Sequence, residues 1–302
     1  MFMPRAALIA FMMSVCVLCK AGAPEFPPPP SDPKLAAVFE EAKVLMAKAQ
    51  TAGYWEVPAN AQPWPCEVPD LQLRKYAYVL NDDEMDEKAK LASRKASLNA
   101  GMSSKDMKMS YRDPIFVPLV ATCKNGLLDG PLEFFAEYTR VMDSTLATME
   151  MRMRFRYVMT VAAGQAVVQA PVLTTSMTVS TKNVYKDPAM QATMAKIKVP
   201  EIKSLTATSV MPVTADDYYF ASITNMGAQG WMTMLQRPTG PKRAEMTSYK
   251  GSSLLMVMPL KNSLPHGEQR MTEQKYGTVI VPAKSTCYED GEIILTTQCD
   301  VQ

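Results

Sequence analysis

A single histidine, His266, stands in 302 residues. One histidine cannot build a multi-histidine metal centre, and as a catalytic base it would need a nucleophile and an orienting acid brought by the fold. Its neighbours Pro265 and Gly267 place it in a turn, where an exposed histidine is the expected reading. The chain also lacks a Gly-x-Ser-x-Gly elbow, a Gly-x-x-x-x-Gly-Lys phosphate loop and a His-Glu-x-x-His pair. No catalytic class is therefore signalled, and no cofactor is expected.

An excess of either charge is missing too. Arg5 and Lys20 are the bases of the first 21 residues, and removing that segment takes the 32 basic residues to 30, against 30 acidic. A neutral chain has no electrostatic basis for binding nucleic acid or an anionic membrane surface. After residue 18 no apolar run reaches the length of a membrane-spanning helix.

What is present begins with an export signal. Arg5 precedes thirteen uncharged, mostly apolar residues, 6–18, and Lys20 closes the run before Ala21. This has the length of a signal-peptide core and is too short to span a bilayer. Cleavage after Ala21 fits the small-residue rule. A lipid anchor on Cys19 or Cys16 is the rival, disfavoured by Leu18 and Val15 where a small residue is required. Residues 22–33 are proline-rich and read as a stiff, solvated spacer.

Four cysteines remain in the exported chain: Cys66, Cys123, Cys287 and Cys299. None forms a Cys-x-x-Cys, so two structural disulfides are expected rather than a metal site. Three pairings are possible. The simplest joins Cys66 to Cys123 and Cys287 to Cys299. Against the second bridge, a two-residue turn at Asp290-Gly291 would set Cys287 opposite Ile294 and leave Cys299 further along.

Periodicity predicts α+β: N-terminal helices, then a mainly antiparallel sheet or meander stabilised by disulfides. Ser31-Asp32-Pro33 starts a helix, and residues 36–49 carry apolar side chains at helical spacing until Gly53. Residues 54–69 hold Trp55, Trp64 and four prolines, an ordered loop. Residues 71–80 read as a strand and 81–100 as a charged helix. From Pro114 onward strands prevail, with a short helix at 188–196. The clearest strand alternates Met149, Met151, Met153, Phe155, Tyr157 and Met159 with Glu150, Arg152, Arg154 and Arg156. The expected organisation is a signal at 1–21, the spacer at 22–33, helices plus hairpins at 34–165, and a mainly β part at 166–302.

Lys-Asn-x-Leu-x-x-Gly occurs at residues 124–130 and again at 261–267. The stretch 123–135, and more faintly 260–268 and 287–295, resembles MORN-type β-hairpin repeats. That resemblance implies a hairpin array presenting a surface to partners, and no chemistry. Two ordinary hairpins sharing common turn residues account for the same pattern.

Three function classes remain. The leading one is an exported envelope protein, periplasmic, extracellular or associated with an outer membrane, that binds other envelope proteins or assembles with them and does no catalysis. The basic row Arg152, Arg154 and Arg156 is its candidate binding face, set against a solvated face neutralised by neighbouring acids. The second is a hydrolase of cell-wall or glycan material using carboxylates such as Asp216 or Glu133. The third rests on 25 methionines: exported thioethers hold Cu(I), although Met replacing Leu and Ile as core filler is the simpler account.

Overall fold

The computed structural model describes residues 25–57, 59, 61–76, 108–144, 147–167, 173–196, 203–214, 216–227, 230–276, 279–294 and 299. The segment expected to direct export, with Cys16 and Cys19, and the helix expected at 81–100 lie outside the described residues.

Three helices are described: α1 Pro33–Ala49, α2 Asp70–Tyr76 and α3 Pro188–Lys196. The strands are β1 Lys108–Val120, β2 Cys123–Lys124, β3 Leu127–Leu128, β4 Gly130–Asp143, β5 Ala147–Ala162, β6 Gln165–Ala166, β7 Leu173–Tyr185, β8 Lys203–Pro212 and β9 Tyr218–Asn225. They continue as β10 Trp231–Gly240, β11 Arg243–Lys250, β12 Ser253–Lys261, β13 Leu264–Pro265, β14 Gly267–Met271, β15 Gln274–Tyr276, β16 Val279–Val281, β17 Lys284–Glu289 and β18 Glu292–Ile294. The protein is mostly β, and the α+β expectation with helices gathered at the N-terminus is overturned. Helical spacing in residues 36–49 yields one long helix, and it serves as a cover for a sheet far wider than itself. Residues 71–80, expected as a strand, begin with the short helix α2.

Fourteen strands form one antiparallel sheet in the order β1-β4-β5-β7-β8-β9-β10-β11-β12-β14-β17-β18, with β6 on β5 and β13 on β12. This is a meander, in which each long strand pairs with the next along the chain. Its β1 edge carries Pro114 and Pro118, and the register shifts between Arg112 and Ile115 and between Pro118 and Val120. Prolines and bulges of this kind blunt an edge against further strand addition.

Register divides the side chains between two faces. On the first face Tyr138 opposes Met153, which opposes Val179, which opposes Ser204. The same face continues from Thr206 to Thr224, Met232 and Lys250. On the second face lie Glu137, Arg154, Thr178, Leu205, Asn225 and Trp231.

Two cores sit on opposite faces. On the first, Phe134, Tyr138, Met153, Tyr157 and Met159 of β4 and β5 pack with Leu73 and Tyr76 of α2. Phe134 stacks on Tyr157, and Tyr138 on Phe155. On the second, α1 presents Leu35, Val38, Phe39, Ala42, Leu45 and Met46 to Ala207, Ala221, Ile223 and Leu235. Small side chains on β8 and β9 leave the room into which the helix ridge settles. Burying each large apolar side chain there contributes roughly 1.5–3 kcal/mol.

Local chemistry sets the ends of these elements. Asp32 caps α1 by accepting from the N–H groups of Lys34 (2.9 Å) and Leu35 (3.2 Å), and Pro33 fills the first helical position. Residues 25–30, expected as solvated spacer, place Phe26 edge-on against Phe39 and Trp231 and bury Pro27. Between Tyr54, above Arg156 on the second face, and Trp64, against Phe134 on the first, the chain crosses from one face to the other. The Cys66–Cys123 disulfide then ties this loop to β2.

Cys287 pairs with Cys299, their Cα atoms 5.5 Å apart. Cys287 also opposes Ile294 in the sheet, as a turn at Asp290-Gly291 requires. The bridge and the turn therefore coexist, and the residues between Ile294 and Cys299 lie outside the described ones.

The segments 124–130 and 261–267 adopt the same local structure. Asn125 and Gly126, like Asn262 and Ser263, have positive φ and make tight turns. Gly130 (φ 108°) and Gly267 (φ 99°) then redirect the chain into β4 and β14. Even the hydrogen bonds correspond: Asp129 N–H donates to Thr122, and His266 N–H to Pro259.

Candidate functional site

Each arginine of the basic row on β5 has a carboxylate beside it. Arg152 and Arg154 both pair with Glu137, the latter at 2.6 Å, and Arg156 lies 3.8 Å from Glu133 with its guanidinium over the Tyr54 ring. Arg112 of β1 pairs with Glu150 at 2.6 Å. This is a cross-strand ladder of four guanidinium groups on three carboxylates, where exposed pairs contribute roughly 0–1 kcal/mol each.

The hydrolase carboxylates are engaged as well, and apart. Asp217 accepts from the Lys242 N–H (2.8 Å) and the Thr214 hydroxyl (3.1 Å), while Asp216 pairs with the Lys242 ammonium at 3.6 Å. They stabilise the approach to β9 and line a small pocket with Tyr218, Gln236 and Arg243. Glu133 sits on β4, three to four strand steps away at about 4.8 Å each. Paired glycosidase carboxylates work at about 5–9.5 Å. The structure does not bring these two together.

His266 is not the exposed turn residue expected. Its side chain is 9% accessible; Nδ1 accepts from the Asp290 N–H at 3.3 Å and lies the same distance from the Asp290 carboxylate. Nε2 is buried without a partner among the described residues. No three His, Cys, Asp or Glu side chains gather in a metal-holding group among the described residues.

Two groups of methionines stand out. Met46, Met153 and Met159 are buried in the two cores and act as filler. Met232, Met234, Met246, Met256, Met258 and Met271 share the first face of β10, β11, β12 and β14, all half-buried and outside both cores. Met246 directly opposes Met258, and Met256 opposes Met271. Met234 opposes Ser248, which opposes Met256.

Among these thioethers the small polar side chains are the buried ones: Gln236 at 9%, Ser248 at 6% and Gln269 at 8%. The Gln269 amide donates to the Met256 sulfur at 2.7 Å. Towards β8 and β9 the face becomes hydroxylic, with Thr206 against Thr224 and Thr208 against Ser222. The described helices pack elsewhere: α1 on the other face, α2 in the core of β4 and β5, α3 against β7.

In the sequence only Met232 and Met234 stood out in this region, as alternate residues of one strand. A second Met-x-Met at 256–258, joined through tight turns that fix register, was the signal that would have assembled the group. Searches of family models, of curated proteins and of solved structures find no match to this chain.

Proposed function

We propose that the chain is an exported, non-catalytic binding module of a cell envelope, working through the thioether face of β10 to β14. One observation carries this reading. The sheet beside these strands is closed on its second face by the buried side chains of α1, while the six methionines of β10 to β14 stay half-buried on the first. Methionine is unbranched and polarizable, so a surface made of it repacks around a partner's shape. The two disulfides support an oxidising compartment, in keeping with the export segment at residues 1–21. Other envelope proteins are the partners this reading names.

The test uses the exported chain as crosslinkable bait on intact envelopes, beside Met246→Lys, Met258→Glu and Arg152→Glu, each checked by thermal melting. The reading expects a reproducible partner whose recovery falls at least fivefold with either methionine variant and holds with Arg152→Glu. Equal recovery by all four chains, or loss with Arg152→Glu alone, overturns it.

A further inference from the structure

We infer that Met246, Met256, Met258 and Met271 form a soft-metal site that takes a monovalent ion of the Cu(I) class. The inference rests on the reading that the thioether face is the working surface, and names what that surface holds.

The geometry comes from register. Two directly opposed pairs, Met246 with Met258 and Met256 with Met271, are joined because Met256 and Met258 stand two apart on β12. Opposed side chains start about 4.5–5.5 Å apart at Cβ, and diagonal neighbours about 7–8 Å. Three rotatable bonds let each sulfur swing towards a shared point above β12. Methionines spaced along one strand stand in a row, whereas these four zigzag across β11, β12 and β14, with Met246 and Met271 two strand spacings, about 10 Å, apart on either side of Met256 and Met258.

Donor chemistry selects the ion. Thioethers are soft and neutral, which suits Cu(I) and disfavours Ca²⁺, Mg²⁺ and Zn²⁺, whose ligands are oxygens, imidazoles or thiolates. The nearby charge points the same way. Lys284 opposes Met271, so a second positive charge on the ion would meet an ammonium group with no carboxylate among the four ligands. The Gln269 amide engages one lone pair of the Met256 sulfur and leaves the other for a metal. Half-burial keeps the group open to an arriving ion while thinning the water around it.

The experiment uses the exported chain with its disulfides intact. Cu(I), kept reduced by ascorbate without oxygen, is offered in competition with a chromogenic Cu(I) chelator. One equivalent retained per chain is expected. The variant M246L/M256L/M258L/M271L keeps the volume and apolarity of the face and is expected to retain the ion at least tenfold less well. Should that variant melt early, the pairs M246L/M258L and M256L/M271L are each expected to lose at least threefold. Ag(I), which does not change oxidation state, is expected to move the methyl resonances of these four methionines and leave those of Met153 and Met159 in place. Equal retention by the parent and Leu chains, or Ag(I) shifts confined to other methionines, overturns the site. Partner capture separates the two ideas. If Cu(I) is not retained but Met246→Lys still abolishes capture, the metal site falls and the binding-module reading stands; if capture ignores Met246→Lys and no ion is held, both fall.

Discussion

The β4–β5 end of the sheet and its β8–β10 end bury opposite sides. At β4 and β5 the first face is closed by aromatic stacking and α2, and the second is a ladder of Glu and Arg. At β8 to β10 the second face is closed by α1, and the first is left to hydroxyls and thioethers. One continuous hydrogen-bonded layer thus carries two cores that do not touch the same surface. The difference teaches that strand alternation fixes which residues share a side, while the covering segments decide which side becomes interior.

The largest expected effect breaks either core singly. Phe39 is 1% and Phe134 0% exposed, and each is truncated into a cavity by Phe→Ala. Each substitution is expected to cost about 3–5 kcal/mol. Because the two rings lie on opposite faces, the double variant is expected to show the sum of the singles within about 0.5 kcal/mol. Urea unfolding measures this, and a coupling above 1 kcal/mol would show that the two cores are one.

The disulfides sharpen the comparison next. Cys66–Cys123 closes a separation of 57 residues and holds the loop that crosses the sheet, while Cys287–Cys299 closes 12. Chain entropy gives about 4 kcal/mol for the first and about 3 kcal/mol for the second. Replacing both cysteines of a bridge by serine is expected to preserve that order in denaturant midpoints. With the first bridge removed, hydrogen exchange in α2 should accelerate while exchange in α1 holds. An equal rise in α1 would mean that the halves unfold together.

How much of this was legible from residues alone depended on distance along the chain. The α1 cap at Asp32, the alternation of β5 and the turns at Asn125-Gly126 and Asp290-Gly291 are local, and each appears where its residues demand. Residues 71–80 misled because Leu71, Leu73 and Tyr76 fit both periods, and only packing of Leu73 and Tyr76 under β4 and β5 chose the helix. The thioether face was hidden for a different reason. Its members come from four strands, and their meeting is set by turn lengths and register that no single window contains.

A smaller effect compares the two matching turn segments. A Cβ on Gly130 would stand 2.7 Å from the Thr122 hydroxyl oxygen, which donates to the Asp129 carbonyl, and φ there is 108°. On Gly267 the nearest atom would be Pro259 Cγ at 3.5 Å, an ordinary contact. Gly130→Ala is therefore expected to cost about 2–3 kcal/mol and Gly267→Ala about 1 kcal/mol, the backbone strain alone. Equal losses in thermal unfolding would place all of the cost in the backbone.

The smallest effect is invisible near neutrality and appears in alkali. Burial pushes the Tyr138 phenol up, with Tyr111 adding and Arg140 opposing. Burial also raises Tyr76, against its hydrogen bond with Gln72, and raises Tyr219, with Asp32 adding and Arg237 opposing. An acid whose folded pKa lies above its unfolded value, here 10.0, holds its proton more tightly in the native state. Its contribution is complete below about pH 10 and is lost as pH rises through the folded value. The melting temperature is expected to be level from about pH 7 to 9 and to fall beyond about 10. Tyr138 and Tyr76 belong to the first-face core, whereas Tyr219 lies on the second. Tyr138→Phe should therefore flatten the alkaline fall more than Tyr76→Phe or Tyr219→Phe. An unchanged fall in Tyr138→Phe would mean that the aromatic core opens to water before its phenols ionise, leaving the α1 side as the sturdier half.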